Sequence, residues 1–145
     1  MKLYLGGKMV GVPGLGFEEF DIVAAQLRAR GHTVFNPAEF DRKAGYEPGP
    51  RDRGTYENTP EFNRTRALLA DVTWILTESE GMVVLENWPT SPGTRLEIAA
   101  HQAIFLPVWE RNDFLDYGVK AMTLNPIMAA GKAWRNPHET LVKQR

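Results

Sequence analysis

Apolar positions along this chain recur with two periods, and the switches between them mark its elements. Lys2-Leu3-Tyr4-Leu5 is a short run of strand type. From Phe17 to Arg30 the apolar residues fall at Phe17, Phe20, Val23, Ala24 and Leu27, with charged residues between them. That spacing predicts an amphipathic helix, ended by Gly31. Thr33-Val34-Phe35-Asn36 predicts a second strand, stopped by Pro37. Strand, helix and strand in this order make a right-handed crossover unit. Glu61 to Thr77 predicts another helix, with Phe62, Leu68, Leu69, Val72 and Ile75 on or near its buried face. Gly81-Met82-Val83-Val84-Leu85 is a buried strand, Ile98 to Ala103 is helical, and Ile104 to Val108 reads as one more strand. The alternation points to a single α/β domain over residues 1–145, with a parallel sheet of four to five strands.

Two stretches break the pattern. Residues 38–60 are polar, with Pro48, Gly49 and Pro50, charges of both signs, Tyr46 and Tyr56. They read as a long loop with room for a short helical turn, and the preferred role is a lid over a ligand crevice. After Val108, Asp116 to Lys120 and Asn125-Pro126 leave space for a last strand or helix and an oligomer contact, ahead of a polar tail holding Trp134.

Chemistry gathers around Ser91-Pro92-Gly93-Thr94-Arg95-Leu96-Glu97. A Pro-Gly turn between a buried strand and a helix belongs at the carboxyl edge of a parallel sheet, where open α/β folds bind ligands. Glu97 is expected about one turn into the helix, near its positive end, where a carboxylate tends to stay ionised. Such a group is either a nucleophile or an ordinary first-turn Glu. Asp71, alone in an apolar helical run, is either paired or functional if buried, or else faces solvent. The loop Gly6 to Gly16 holds five glycines and Lys8. It lacks the full spacing of the phosphate-loop and dinucleotide fingerprints, so a phosphate cradle and a flexible turn both stay open.

Composition narrows the classes. Seventeen Lys and Arg nearly balance eighteen Asp and Glu for a net charge of -1, with no basic block, which argues against a nucleic-acid polymer as partner. Cysteine is absent, so disulfides and thiolate catalysis are excluded. His32, His101 and His138 lie far apart, and no metal or other cofactor is expected. No apolar run reaches membrane-spanning length and no leader is apparent, so the expectation is a cytoplasmic protein without a membrane partner.

With these residues assembled, the chain resembles the nucleoside 2-deoxyribosyltransferase superfamily. That group includes nucleoside transferases and nucleoside 5′-monophosphate N-glycosidases, and the chain also looks close to small phage and bacterial relatives. The resemblance spans roughly residues 2–108. Tyr4 in Leu3-Tyr4-Leu5-Gly6-Gly7 matches the family's opening-strand tyrosine, and Asp71 its helix aspartate. Glu97 matches the nucleophile of its Gly-x-x-x-Glu-Leu-Gly motif, with Ile98-Ala99 in place of Leu-Gly. Six residues earlier, where the nucleoside transferases are similar in carrying an aspartate and the monophosphate hydrolases a serine, this chain has Ser91. A neutral hydroxyl donates to a phosphate that a carboxylate would repel. Val10 stands near the place of a loop arginine in the eukaryotic hydrolases. Pro92-Gly93-Thr94-x-x-Glu97 is also similar to part of the cytokinin-activating phosphoribohydrolase motif.

The resemblance implies a Rossmann-like (flavodoxin-like) three-layer fold and cleavage of an N-glycosidic bond in a (deoxy)nucleoside 5′-monophosphate. It implies Glu97 as nucleophile, Asp71 as the acid that holds or protonates the leaving base, and Tyr4 as orienter of Glu97. Substrate would be held by Gly6, Gly7, Lys8, Ser91, Gly93 and Thr94. It further implies a small-molecule nucleotide or nucleoside as partner, no cofactor, and a homodimer or higher homo-oligomer. A base-exchanging deoxyribosyltransferase and a non-catalytic nucleotide-binding module are the alternatives.

Overall fold

Successive residues of the first strand, β1 (Lys2–Gly6), point to opposite faces of a sheet, and the two faces hold different cores. Leu3 and Leu5 pack with Phe17, Phe20, Val23, Ala24 and Leu27 of helix α1 (Phe17–Ala29). Tyr4 faces the other way, toward Met82, Val84, Ile75 and Ile98. All five apolar positions that define α1 in the sequence are buried. Each of the four larger side chains among them contributes about 1.5–3 kcal/mol by leaving water.

The computed structural model describes residues 1–54 and 63–117. Strands β1, β2 (Thr33–Phe35), β3 (Gly81–Val84) and β4 (Val108–Glu110) form a four-stranded sheet in the order β2-β1-β3-β4. Every pairing is parallel, with Leu3 beside Val34, Tyr4 beside Met82 and Val83 beside Trp109. α1 and the short α5 (Arg111–Tyr117) cover one face, while α3 (Arg64–Thr77) and α4 (Pro92–Ala103) cover the other. The result is a Rossmann-like three-layer α/β fold. From β1 the chain passes to β2 on one flank and later returns to β3 on the other. The loops after β1 and β3 therefore diverge, which opens a crevice at the carboxyl ends of these strands.

Several boundaries differ from the sequence expectation. Pro37 starts a helix, α2 (Pro37–Lys43), because Asn36 caps it by accepting the Ala38 N–H at 2.9 Å. The polar stretch is thus helical at its beginning, and its residues 55–60 lie outside the described part. α3 starts at Arg64 behind an Asn63 cap, and Leu69, expected on its buried face, is 67 % exposed. Phe62 falls outside the described residues.

The Pro92-Gly93 pair is not a connecting turn. It forms the first turn of α4, with Pro at the first helical position, and Glu97 sits six residues in. The last strand is Val108–Glu110 and not Ile104 to Val108. The amides of Ile104 and Leu106 close the helix end onto the His101 carbonyl, and Phe105, at φ 60°, bonds Gln102. The expected tail elements and oligomer contact from residue 118 onward, with Asn125-Pro126 and Trp134, lie outside the described residues. No described helix is long and apolar enough to cross a membrane.

Candidate active site

The floor of the crevice is the end of β1. A Cβ at Gly6 would collide with Met82 Cε and lie 3.1 Å from Glu97 Oε2 and 3.2 Å from Thr94 Cγ2. A Cβ at Gly7 would lie 2.8 Å from Leu85 Cδ1. Both glycines are therefore needed for close approach, which lets the first turns of α4 lie directly over the strand end. Three hydrogen bonds join the loops on either side: Leu85 N to the Gly6 carbonyl at 2.8 Å, Lys8 N to Asn87 Oδ1 at 2.9 Å, and Thr94 Oγ1 to the Gly7 carbonyl at 3.0 Å.

Glu97 is buried against this floor, and its Oε2 has no hydrogen-bond partner among the described residues. Burial pushes its pKa from the ordinary 4.5 up to about 8, with the charge of Asp71 adding to the effect. The expectation of a carboxylate held ionised by the helix terminus is thus corrected. The favourable end of a helix is worth at most about 2 kcal/mol, less than the desolvation of a buried carboxylate.

Asp71 of α3 is buried too, which places it on the core side of its helix and not in solvent. Desolvation, followed by the charge of Asp41, raises it from 3.8 to about 7. Tyr4 brings its hydroxyl between the two. That hydroxyl is fully buried and influences both carboxyls, drawing both pKa values down, although it makes no hydrogen bond of regular geometry to either. Its own pKa is driven well above 10 by burial and by the charges of Glu97 and Asp71, so it stays a proton donor.

A third carboxyl faces the same space. Asp41 of α2 is buried and lines the cleft, and desolvation raises it from 3.8 to about 6. Among the described residues no three His, Asp or Glu side chains converge closely enough to hold a metal ion.

Opposite the carboxyls, Ser91 caps α4. Its Oγ accepts the Thr94 N–H at 3.2 Å and lies 3.0 Å from Thr94 Oγ1. The Gly7 carbonyl can only accept, so it takes the Thr94 hydroxyl proton. The Ser91 proton is then left for Thr94 Oγ1 or for an oxygen of a ligand. Gly93 and the half-buried Lys8 line the same wall. The cleft encloses about 900 Å³ of space when the open solvent at its mouth is counted. Every residue expected from the sequence to bind or react, apart from Tyr4 beneath it, lines this one cleft.

Residues 1–110, which hold all four strands and all three carboxyls, match a family described as a domain of unknown function. The chain belongs to the DUF4406 family. No curated protein and no solved structure matches it.

In this DUF4406 domain the sequence pattern passes over one residue of the cleft, Asp41, and one buried residue behind it, His101. Asp41 sits in Glu39-Phe40-Asp41-Arg42-Lys43, where charged neighbours make it look like surface. It is buried on the same side of α2 as Pro37 and Ala38, in a helix that starts at the Asn36 cap. His101 is also fully buried, with Nδ1 2.9 Å from the Glu97 carbonyl and Nε2 2.8 Å from Ser79 Oγ. The carbonyl can only accept, so Nδ1 carries the proton. The signal for His101 is its place one turn after Glu97 on the same helical face.

Proposed function

We propose that this DUF4406 protein hydrolyses the N-glycosidic bond of a (deoxy)nucleoside 5′-monophosphate, releasing free base and (deoxy)ribose 5-phosphate. The observation that carries this reading is the meeting of Glu97, Asp71 and the Tyr4 hydroxyl in one buried group at the carboxyl ends of β1 and β3. The resemblance of these residues to the nucleoside 2-deoxyribosyltransferase superfamily supports it.

Cleavage builds positive charge on the sugar, so it needs a carboxylate at C1′ and a proton for the departing base. Both carboxyls are raised, so the pair keeps a proton near neutral pH. Glu97 holds a proton more tightly than Asp71, so the reactive form, with Glu97 ionised and Asp71 protonated, is the less populated of the two singly protonated arrangements. The Glu97 oxygen bonds to C1′ as the C1′–N bond breaks; its electron pair stays with the base nitrogen, which takes the Asp71 proton. Water then attacks C1′ and gives a proton to Asp71, and Glu97 departs as a carboxylate. Tyr4 donates toward the Glu97 charge. The 5′-phosphate lies by Ser91, Gly93, Thr94 and Lys8, where hydroxyl and backbone N–H donors and a cation converge.

The test is incubation with nucleosides and 5′-monophosphates, with free base read by chromatography. Base release from a monophosphate, lost in Glu97→Gln, is expected. Base exchange without net hydrolysis would shift the reading to a transferase. Binding without turnover would shift it to a nucleotide-binding module.

A further inference from the structure

Asp41 is the buried charge to which the hydrolysis scheme gives no task. It is 6 % exposed, lines the cleft, and its carboxyl meets no hydrogen-bond or ion-pair partner among the described residues. The adjacent Arg42 is turned away, paired with Asp21 at 2.8 Å and Glu47 at 3.0 Å. A buried carboxylate without a partner is costly unless something that enters the cleft supplies one.

The fold says which part of a ligand that would be. In the order β2-β1-β3-β4, α2 follows the strand on one flank of β1, and the Ser91 cap and α4 follow the strand on the other. Asp41 stands on the α2 side and Ser91 on the α4 side, while Tyr4 rises from β1 between them. The electrostatic influences run in the same sequence, from Asp41 to Asp71 and from Asp71 to Glu97. A nucleotide with its phosphate at Ser91 and C1′ at Glu97 sends its base past Asp71 toward Asp41. What reaches Asp41 is the base edge remote from the sugar.

An ionised carboxylate offers two acceptors side by side and no donor. Its complement is an edge with two adjacent N–H donors. Guanine presents this pair, N1–H and the C2 amino group. Adenine and cytosine set a donor beside an acceptor, and uracil and thymine set one donor between two acceptors. We propose that Asp41 reads the leaving base and selects a guanine nucleotide. This assignment rests on the hydrolase reading and deepens it, with Asp71 kept for the proton step.

The experiment compares GMP, dGMP and their inosine counterparts, which lack only the C2 amino group, and adds AMP and dAMP. Binding is measured by calorimetry on full-length Glu97→Gln protein, and turnover by base release from the wild type. The guanine nucleotide should exceed its inosine counterpart about 10–100-fold in kcat/KM and in affinity, the worth of one hydrogen bond to a charged group. Asp41→Asn replaces one acceptor with a donor. It should erase that advantage and move preference toward the adenine nucleotides. A wild type indifferent to the C2 amino group overturns the role of Asp41 while leaving hydrolysis standing, and it does so without any variant. Equal losses for all bases in Asp41→Asn do the same. Guanine-selective binding without cleavage by the wild type overturns the hydrolase reading and leaves Asp41 assigned. If no nucleotide binds or is cleaved, both fall.

Discussion

Ser91 Oγ accepts the backbone N–H of Thr94 at 3.2 Å, so the side chain proposed to meet a phosphate is also the N-cap of α4. The two roles separate by substitution. Ser91→Ala should lose about 1 kcal/mol of stability with the cap, and about 10–100-fold in kcat/KM for a monophosphate with the donor. Ser91→Asp keeps a capping oxygen and should melt near the wild type. It should still lose monophosphate activity, through like-charge repulsion. Thermal melts beside kinetics check this, and an Asp variant as active as the wild type on the monophosphate would remove Ser91 from the phosphate site.

The three buried carboxyls make stability depend on pH in a direction opposite to that of a salt-bridged acid. Glu97 rises from 4.5 to about 8, Asp71 from 3.8 to about 7 and Asp41 from 3.8 to about 6 on folding. The folded state therefore holds protons that the unfolded chain releases. Their contribution is complete below about pH 4 and is lost as pH rises toward about 8. His101, lowered from 6.5 by burial, works the other way and costs stability as pH falls. Glu97→Gln, which cannot ionise, should flatten the melting-temperature profile and exceed the wild type at pH 8. Parallel profiles for the two proteins would mean that Glu97 is not buried as a proton-holding group.

The rate of base release should follow a bell-shaped pH profile, with limbs near 7 and 8 that belong to the Glu97–Asp71 pair. Asp71→Asn removes the charge that helps raise Glu97. The surviving acid limb should then move to lower pH, and the basic limb should vanish. An acid limb that stays in place would show that the Asp71 charge does not reach Glu97.

Gly6→Ala tests the close approach of α4 to the strand end. The new methyl would press on Met82 Cε and stand 3.1 Å from Glu97 Oε2. Overpacking should cost about 1–3 kcal/mol. Displacement of the carboxyl should lower kcat by on the order of 10²-fold. Adding Met82→Val, which makes room for the methyl but leaves its contact with Glu97, should recover melting temperature without recovering kcat. Recovery of both would place the whole effect in packing.

The legibility of this fold varied with the distance over which each feature is decided. The apolar positions of α1 announce that helix because they face a single core, and all five are buried. Asp71 and Glu97 are visible because each is an acid in an otherwise apolar or helix-starting context. The last strand starts later than composition suggests, because Ile104, Phe105 and Leu106 have strand composition but close the end of α4 through backbone bonds to His101 and Gln102. Phe105, 95 % exposed, shows that an apolar residue there is not a core residue. No local pattern distinguishes Asp41 from its charged neighbours; its burial depends on where α2 lands. The charge state of Glu97 is hidden in the sequence for a similar reason, since local helix position is visible there and desolvation is not.

The hydrogen bonds from Leu85, Lys8 and Thr94 to the far side of the crevice tie the loops after β1 and β3 into one stitched unit. Asp41 arrives from a different piece of chain, on a seven-residue helix capped by its own Asn36. Substitutions in α2 can alter what meets the far end of a ligand without disturbing the stitches that hold Glu97. The part of the site proposed to choose and the part proposed to react are therefore free to diverge at separate rates, and related chains with the same stitched unit should differ most in α2.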